Sequence, residues 1–420
     1  MGRHATHTTA PRGRSPLAPW RAAVLISLLI WAALAIAGVG YLWPGGKTPQ
    51  VSPSFYQTFS VGTAQVDGTV SHEQRGSCSS PEAGRIFTTS PRVVPGSTSD
   101  CQWYLVDITS GENSGQRTLI INSGEASDPT LSVGQKIRLT ETKDTNGDLA
   151  YAFGDINRSF ELILWALAIA GAIVALALMR GIRALIGLGL TLIFIAKFTI
   201  PALLLGENPL AIAVLSGSVI LPIVVILVHG LNWKSAAALG GTMVALAVAA
   251  WLATVAIEHN QIRGLGEEGN LYILLYLPDV NVVGLMLCGF IIGSLGVLND
   301  VAVAQASTIN ELAELDPEAK PWRLFVSAMR VGRDHISSMV YTLVLTYTGA
   351  TLPMMLLLSV SDRPLGQILS SDLVATELLR SGIGAFALTL SVPLTTLLAA
   401  YTVPDSTRGS HAVRQVGHSH

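Results

Sequence analysis

Eight stretches of this chain stay apolar for about 18 to 25 residues, long enough for a helix to cross a hydrocarbon core of roughly 30 Å. They run over 22–43, 160–179, 184–205, 209–229, 236–257, 282–303, 336–359 and 381–402. Inside such a core no water solvates the backbone, so each stretch has to satisfy its own N–H and C=O groups and is expected to be a helix. Composition agrees. The 420 residues are 50% hydrophobic and 13% charged, about half the charge of a soluble domain. The expected class is an all-α polytopic membrane bundle whose first partner is the lipid bilayer. Pro222 and Pro353 fall inside stretches and Pro201 and Pro393 near others, so kinks are expected there. A net charge of −2 implies no nucleic-acid surface. Walker-type, HExxH and CxxC patterns are absent, so no cofactor is implied, nor a metal site, nor an enzyme.

The Lys/Arg bias of short loops sets orientation. Arg3, Arg12, Arg14 and Arg21, then Arg180 and Arg183, Lys234, and Lys320, Arg323, Arg330 and Arg333 all fall on one side of eight spans. The opposite short loops hold only Arg263, Arg363 and Arg380. Both termini are therefore expected to be cytoplasmic, with disordered tails over 1–21 and 403–420. His4, His7, His411, His418 and His420 in those tails offer only unspecific metal binding. The first stretch is too long for a signal-peptide core of about 7 to 15 residues, and reads as an uncleaved anchor over 22–43, ahead of a seven-helix bundle over 159–402.

Residues 44–158 are different in kind. Short alternating runs at 61–70, 101–109, 116–123, 134–142 and 149–156 are separated by turn signals such as Asn146-Gly147. About five strands in this length suggest a small extracytoplasmic all-β domain, OB-like in form. Cys78 and Cys101 both lie in it. In an oxidising compartment they either pair, closing a loop worth roughly 3 kcal/mol, or remain two thiols.

An ionisable residue inside a span costs roughly 2.5 to 3.5 kcal/mol on the lenient scale and marks a candidate functional site. Asn299 and Asp300 interrupt the sixth stretch, and Asp300, Ala304 and Thr308 recur every fourth residue. The alternative is that the membrane ends at Leu298 and a wet amphipathic helix follows. In the seventh stretch Asp334, Ser338, Thr342 and Thr346 form a polar stripe flanked by His335 and Tyr341. It is expected to face Asp300, with Arg330 or Arg333 pairing an aspartate, unless its hydroxyls merely bond their own i−4 carbonyls. Lys197 stands well inside the third stretch and either snorkels toward Glu207 or belongs to an ion site. Gly289, Gly293 and Gly296 share one helical face, expected to pack inside the bundle.

GSLGVLNDVAVAQASTINEL (293–312), SAMRVGRDHISSMVYTLVLTYTGATLPMMLLL (327–358) and PLGQILSSDLVATELLRSGIGAFALTLSVPLTTLLAA (364–400) resemble the YibE/F family of bacterial membrane proteins. The likeness covers most of 55–402 and implies about eight spans, in a multi-pass protein of the bacterial plasma membrane. It carries no established activity. The Asn-Asp segment is also faintly similar to SecD/SecF-type proteins of the RND superfamily, which couple proton or sodium flow to movement of an outside domain. This chain has more spans and a smaller outside domain.

Two functions compete. In an ion-coupled transporter or ion-driven membrane machine, Asp300 binds a proton or monovalent cation. Asn299, Ser338, Thr342 and Thr346 then supply oxygens, with Lys197, Asp334 and His335 nearby. In a structural or interaction protein, the β-domain meets an envelope partner or a second copy, and the bundle anchors it.

Overall fold

The computed structural model describes residues 19–55, 65–89, 100–124, 128–143, 147–266 and 268–403. The expected tails fall almost wholly outside these residues, as do the tail histidines and the first four residues of the run at 61–70. Two compact units form: residues 52–178, and the first helix together with the chain from Met179 onward.

The first unit carries six antiparallel strands: β1 (Gln65–Ser77), β2 (Ile86–Phe87), β3 (Asp100–Ile108), β4 (Arg117–Asn122), β5 (Lys136–Lys143) and β6 (Leu149–Ile156). Their order is β2-β4-β3-β1-β5-β6. Every expected run contains a strand among the described residues, and β2 is an addition too short to be read from alternation. β1 is long enough to serve two neighbours. Residues 65–69 pair with β5 and 68–77 with β3, and the register shifts between Val70 and His72. Such a bulge bends a strand and increases its twist. The sheet curls until its two ends meet at Gly84, whose N–H donates to the Leu119 carbonyl (2.8 Å) and whose carbonyl accepts from the Tyr151 N–H (2.7 Å). Gly84 has φ +75°, and a Cβ there would stand 2.7 Å from the Tyr151 carbonyl oxygen, so only glycine closes this seam. Val66, Val70, Tyr104, Val106, Ile137 and Leu139 fill the interior. Cys78 and Cys101 are disulfide-bonded, tying the end of β1 to the start of β3.

The other helices are α1 (Pro19–Tyr41), α2 (Ser159–Phe194), a π-turn (Ile195–Thr199), α3 (Ile200–Leu204), α4 (Pro209–His229), α5 (Trp233–His259), α6 (Glu268–Tyr276), α7 (Val282–Leu315), α8 (Pro321–Ala350), α9 (Leu352–Ser359), α10 (Leu365–Leu369) and α11 (Asp372–Thr402). Among the described residues six helical runs are long and apolar enough to cross a membrane, or seven if α8 and α9 count as one bent span. The chain is thus mostly helical beside a separate curled sheet. The expected stretches 160–179 and 184–205 both lie in Ser159–Leu204, where two helices meet at a kink: Leu178 has non-helical backbone angles (φ 51°, ψ −131°), close to the expected boundary. The expected stretch 336–359 is instead two helices meeting at 67°. Pro353 stands in the first turn of the second of these, directly after the bend, so the kink expected around it is present and its missing N–H has no partner to lose. α1 begins at Pro19, three residues before the expected anchor.

Asparagines start three of the long helices. The side chains of Asn208, Asn232 and Asn281 accept from the N–H groups of Ala211, Ser235 and Gly284 at 3.0, 2.8 and 2.9 Å. The bundle core is α5, α7 and α11. At least half of each apolar window is buried there, against none in Ser159–Leu204. α5 offers Ala237, Ala238, Gly241, Ala245, Ala249 and Ala253 to its neighbours, small residues that let backbones approach closely. A Cβ on Gly241 would overlap the Thr395 hydroxyl and lie 2.7 Å from the Thr395 Cα. The expected glycine face is not the packed one. Gly289 and Gly296 meet nothing within 4 Å, and Gly293 meets only the Tyr347 ring and hydroxyl.

Candidate functional site

α11 is fixed at its start by Asp372, whose carboxylate accepts from the backbone N–H groups of Arg263 (2.8 Å) and Leu265 (3.0 Å). Just beyond the first turn Glu377 is 6% exposed. Arg380 Nη1 donates to Glu377 Oε1 at 2.7 Å. The guanidinium lies 5.1 Å from the Phe290 ring centroid on α7 and 5.9 Å from that of Tyr347 on α8. Three helices thus converge on one ion pair with aromatic faces beside its cation. Sequence reasoning missed this pair, because Arg380 reads as a loop charge just ahead of the stretch at 381. The available signal is Glu-x-x-Arg, which sets the two groups on one helical face.

A second polar layer lies further along the same helices. From Glu377 to Thr395 is about 27 Å at 1.5 Å per residue. Gln305 on α7 is fully buried. The Thr396 hydroxyl sits between Gln305 Oε1 (3.0 Å) and the Val392 carbonyl (2.6 Å). Ser391 and Thr395, one turn apart on α11, are equally buried. Gln305 Nε2, Ser391 Oγ and Thr395 Oγ1 have no hydrogen-bond partner among the described residues. Such groups are costly in a dry interior, so each is a position where a polar guest would be held. Leu298, Val301, Ala387 and Leu388 are buried apolar side chains on the stretches of α7 and α11 between the layers.

The expected site residues do not assemble as one site. Asn299 interacts with Asp300, and His229 at the end of α4 is the charged group that acts on it. His229 in turn senses Lys234 and Arg180. Asn299 also lines a cleft with Ala184, Leu188, Ile220 and Gly296. Asp334, His335, Ser338, Thr342 and Thr346 are all exposed on the outer side of α8. That helix instead packs inward through Leu324, Ala328, Gly332 and Leu343. The stripe therefore does not face Asp300. Half a helical turn separates it from the packing face, which Met329, Ile336 and Val340 carry onto Val301. Thr342 and Thr346 donate to the carbonyls of Ser338 (3.1 Å) and Thr342 (2.7 Å), the i−4 pattern. Neither Arg330 nor Arg333 forms an ion pair among the described residues. Lys197 occupies the centre of the π-turn and makes no ion pair with Glu207.

In the sheet unit a cleft of about 670 Å³ opens beside Gly84, Leu119 and Tyr151. The Tyr151 hydroxyl accepts from Asn113 Nδ2 (2.9 Å) and donates to Glu141 Oε1 (3.3 Å). Burial, more than its neighbours, raises its pKa above the ordinary phenol value.

Residues 165–405 match the family model described as YibE/F-like protein. That span contains both polar layers of the bundle. No curated protein and no solved structure matches the chain.

Proposed function

We propose a function from one premise: the chain belongs to the YibE/F-like protein family. It is a membrane protein by that membership and by its apolar helices. Our reading is an ion-coupled transporter or ion-driven membrane machine of the bacterial plasma membrane, with no catalytic chemistry assigned to it. Eight spans fit this reading if the Leu178 break divides Ser159–Leu204 in two and α8 with α9 makes one bent crossing. The basic loops then put both termini in the cytoplasm. The strand order, ignoring the two-residue β2, is that of a closed five-stranded OB-like barrel, and supports an extracytoplasmic β-domain of that kind.

The observation that carries the proposal is the pair of buried polar layers along α7 and α11. A charged pair in a bundle interior is expensive and marks ion pathways more often than packing. Here Glu377–Arg380 lies toward one end, the neutral cluster at Gln305 toward the other, and an apolar plug between. A proton or monovalent cation entering at either end finds oxygens to replace its water, then a barrier that only a conformational change removes. Asp300, beside His229, stands near the Gln305 end as a peripheral charge. Reconstitution into liposomes with a proton- or sodium-sensitive dye tests this. Glu377→Gln should abolish a flux that the wild-type chain supports, and unchanged flux would sink the reading.

The separate disulfide-tied sheet unit favours one second reading, an envelope-facing interaction protein that the bundle anchors. Removing 57–157 discriminates: loss of a partner with retained ion flux points to the transport reading for the bundle.

A further inference from the structure

A cleft of about 600 Å³ opens on the side of the bundle where α1 ends, and two lysines border it. Lys47 reaches it because the chain reverses after α1. Gly45 and Gly46 take φ +58° and +77°, and the Lys47 N–H returns to the Pro44 carbonyl at 3.1 Å. Lys197 reaches it because the π-turn turns Phe198 and Thr199 into the core. Phe198 is fully buried, and the Thr199 and Ser216 hydroxyls are 2.8 Å apart. With those two residues held inside, Lys197 emerges on the cleft. Phe198 also braces the cleft walls, stacking on Trp43 (6.0 Å) and lying 5.1 Å from Phe194. Below the ammonium groups the lining is apolar and exposed: Leu190 at 43% and Ile193 at 60%. Neither lysine has an ion-pair partner among the described residues.

We propose that this cleft binds one anionic phospholipid, with its phosphate between Lys47 and Lys197 and an acyl chain over Leu190 and Ile193. Two uncompensated cations above an apolar trough match an anionic amphiphile, and match neither a neutral lipid nor a small free anion. Trp43 is the kind of ring that settles at headgroup level, with an apolar body and a polar N–H. Lys197 lies within an apolar run, where a bound phosphate supplies the counter-charge that no side chain provides. The inference rests on the helices crossing a bilayer and is independent of any ion flux.

The full chain, released from nanodiscs of mixed phosphatidylglycerol and phosphatidylcholine, would be weighed by native mass spectrometry. The wild type should keep one phosphatidylglycerol in preference to phosphatidylcholine. K47Q/K197Q should lose that preference, by roughly fivefold for each lysine. K47R/K197R should keep it. Equal retention by the Gln variant would overturn the proposal. So would displacement of the lipid from the wild type by inorganic phosphate, which would mark a free-anion site. So would a wild type that carries a second copy or another protein there in place of lipid. The last two arms need no variant to fold.

Discussion

Arg380 Nη1 stands 2.7 Å from Glu377 Oε1, one helical turn away on α11, with Phe290 of α7 beside its guanidinium. Removing one partner of a buried pair strands the other, at about 3–5 kcal/mol, whereas replacing both with apolar residues of similar size is often neutral. Arg380→Ala is therefore expected to lower the thermal unfolding midpoint of the detergent-solubilised protein sharply. The double variant Glu377→Leu/Arg380→Met should recover most of it while remaining inactive in ion flux. Recovery of stability without flux separates the pair's role in the proposed pathway from its role in packing.

Close packing of α5 on α11 gives a sharper contrast. A methyl at Gly241 meets the Thr395 backbone, which cannot swing aside as a side-chain tip does. Overpacking costs typically 1–3 kcal/mol, and Gly241→Ala is expected at about the top of that range. Gly289→Ala, with nothing within 4 Å of the new methyl, should leave the unfolding midpoint unchanged. Equal effects of the two would contradict the helix packing described above.

How much of this was legible in the sequence varies by physical cause. The spans were legible because a helix in hydrocarbon must be continuously apolar, and the strands of the sheet unit because alternation survives in β1, β3 and β5. Helix ends were less so. Asn232 and Asn281 cap by local hydrogen bonds, but α11 runs nine residues ahead of its apolar stretch because Asp372 finds partners more than 100 residues away in sequence, at Arg263 and Leu265. Asp334, Ser338 and Thr342 share a face by periodicity, yet periodicity cannot tell which face turns inward. That is decided by Gly332 fitting beside Val392 and Gln305. Nothing local marks Gln305 as a core polar residue, since its partner Thr396 lies 91 residues away.

In the sheet unit Cys78–Cys101 closes a loop of 23 residues next to the Gly76–Cys101 register pair. Breaking it with Cys78→Ser should cost the unit about 3 kcal/mol. Limited proteolysis of the full chain, with and without reductant, checks this. Cleavage within 65–156 should accelerate on reduction for the wild type and be fast and reductant-independent for the variant.

Tyr151 carries an alkaline signature. Its folded-state pKa is raised by burial, so the neutral phenol is the form the fold prefers. That preference contributes stability in full below the unfolded tyrosine value of about 10 and is lost as pH rises through the folded value. Tyrosinate absorbance of the wild type should show a late-titrating component that Tyr151→Phe diminishes by one tyrosine. The variant should also lose less stability between neutral and strongly alkaline pH.

The 67° bend between α8 and α9 has a geometric corollary. Membrane helices tilt by at most about 40° from the bilayer normal. Two rods joined at 67° cannot both stand near that normal, so when Pro321–Ala350 rises steeply, Leu352–Ser359 runs obliquely. Depth then stops tracking residue number. Cysteines placed one by one along 336–350 should grade steadily in their protection from a water-borne thiol reagent, whereas those along 352–359 should share nearly one level. This short segment, with Leu356 and Leu357 exposed, broadens the bundle sideways where a straight span would have lengthened it.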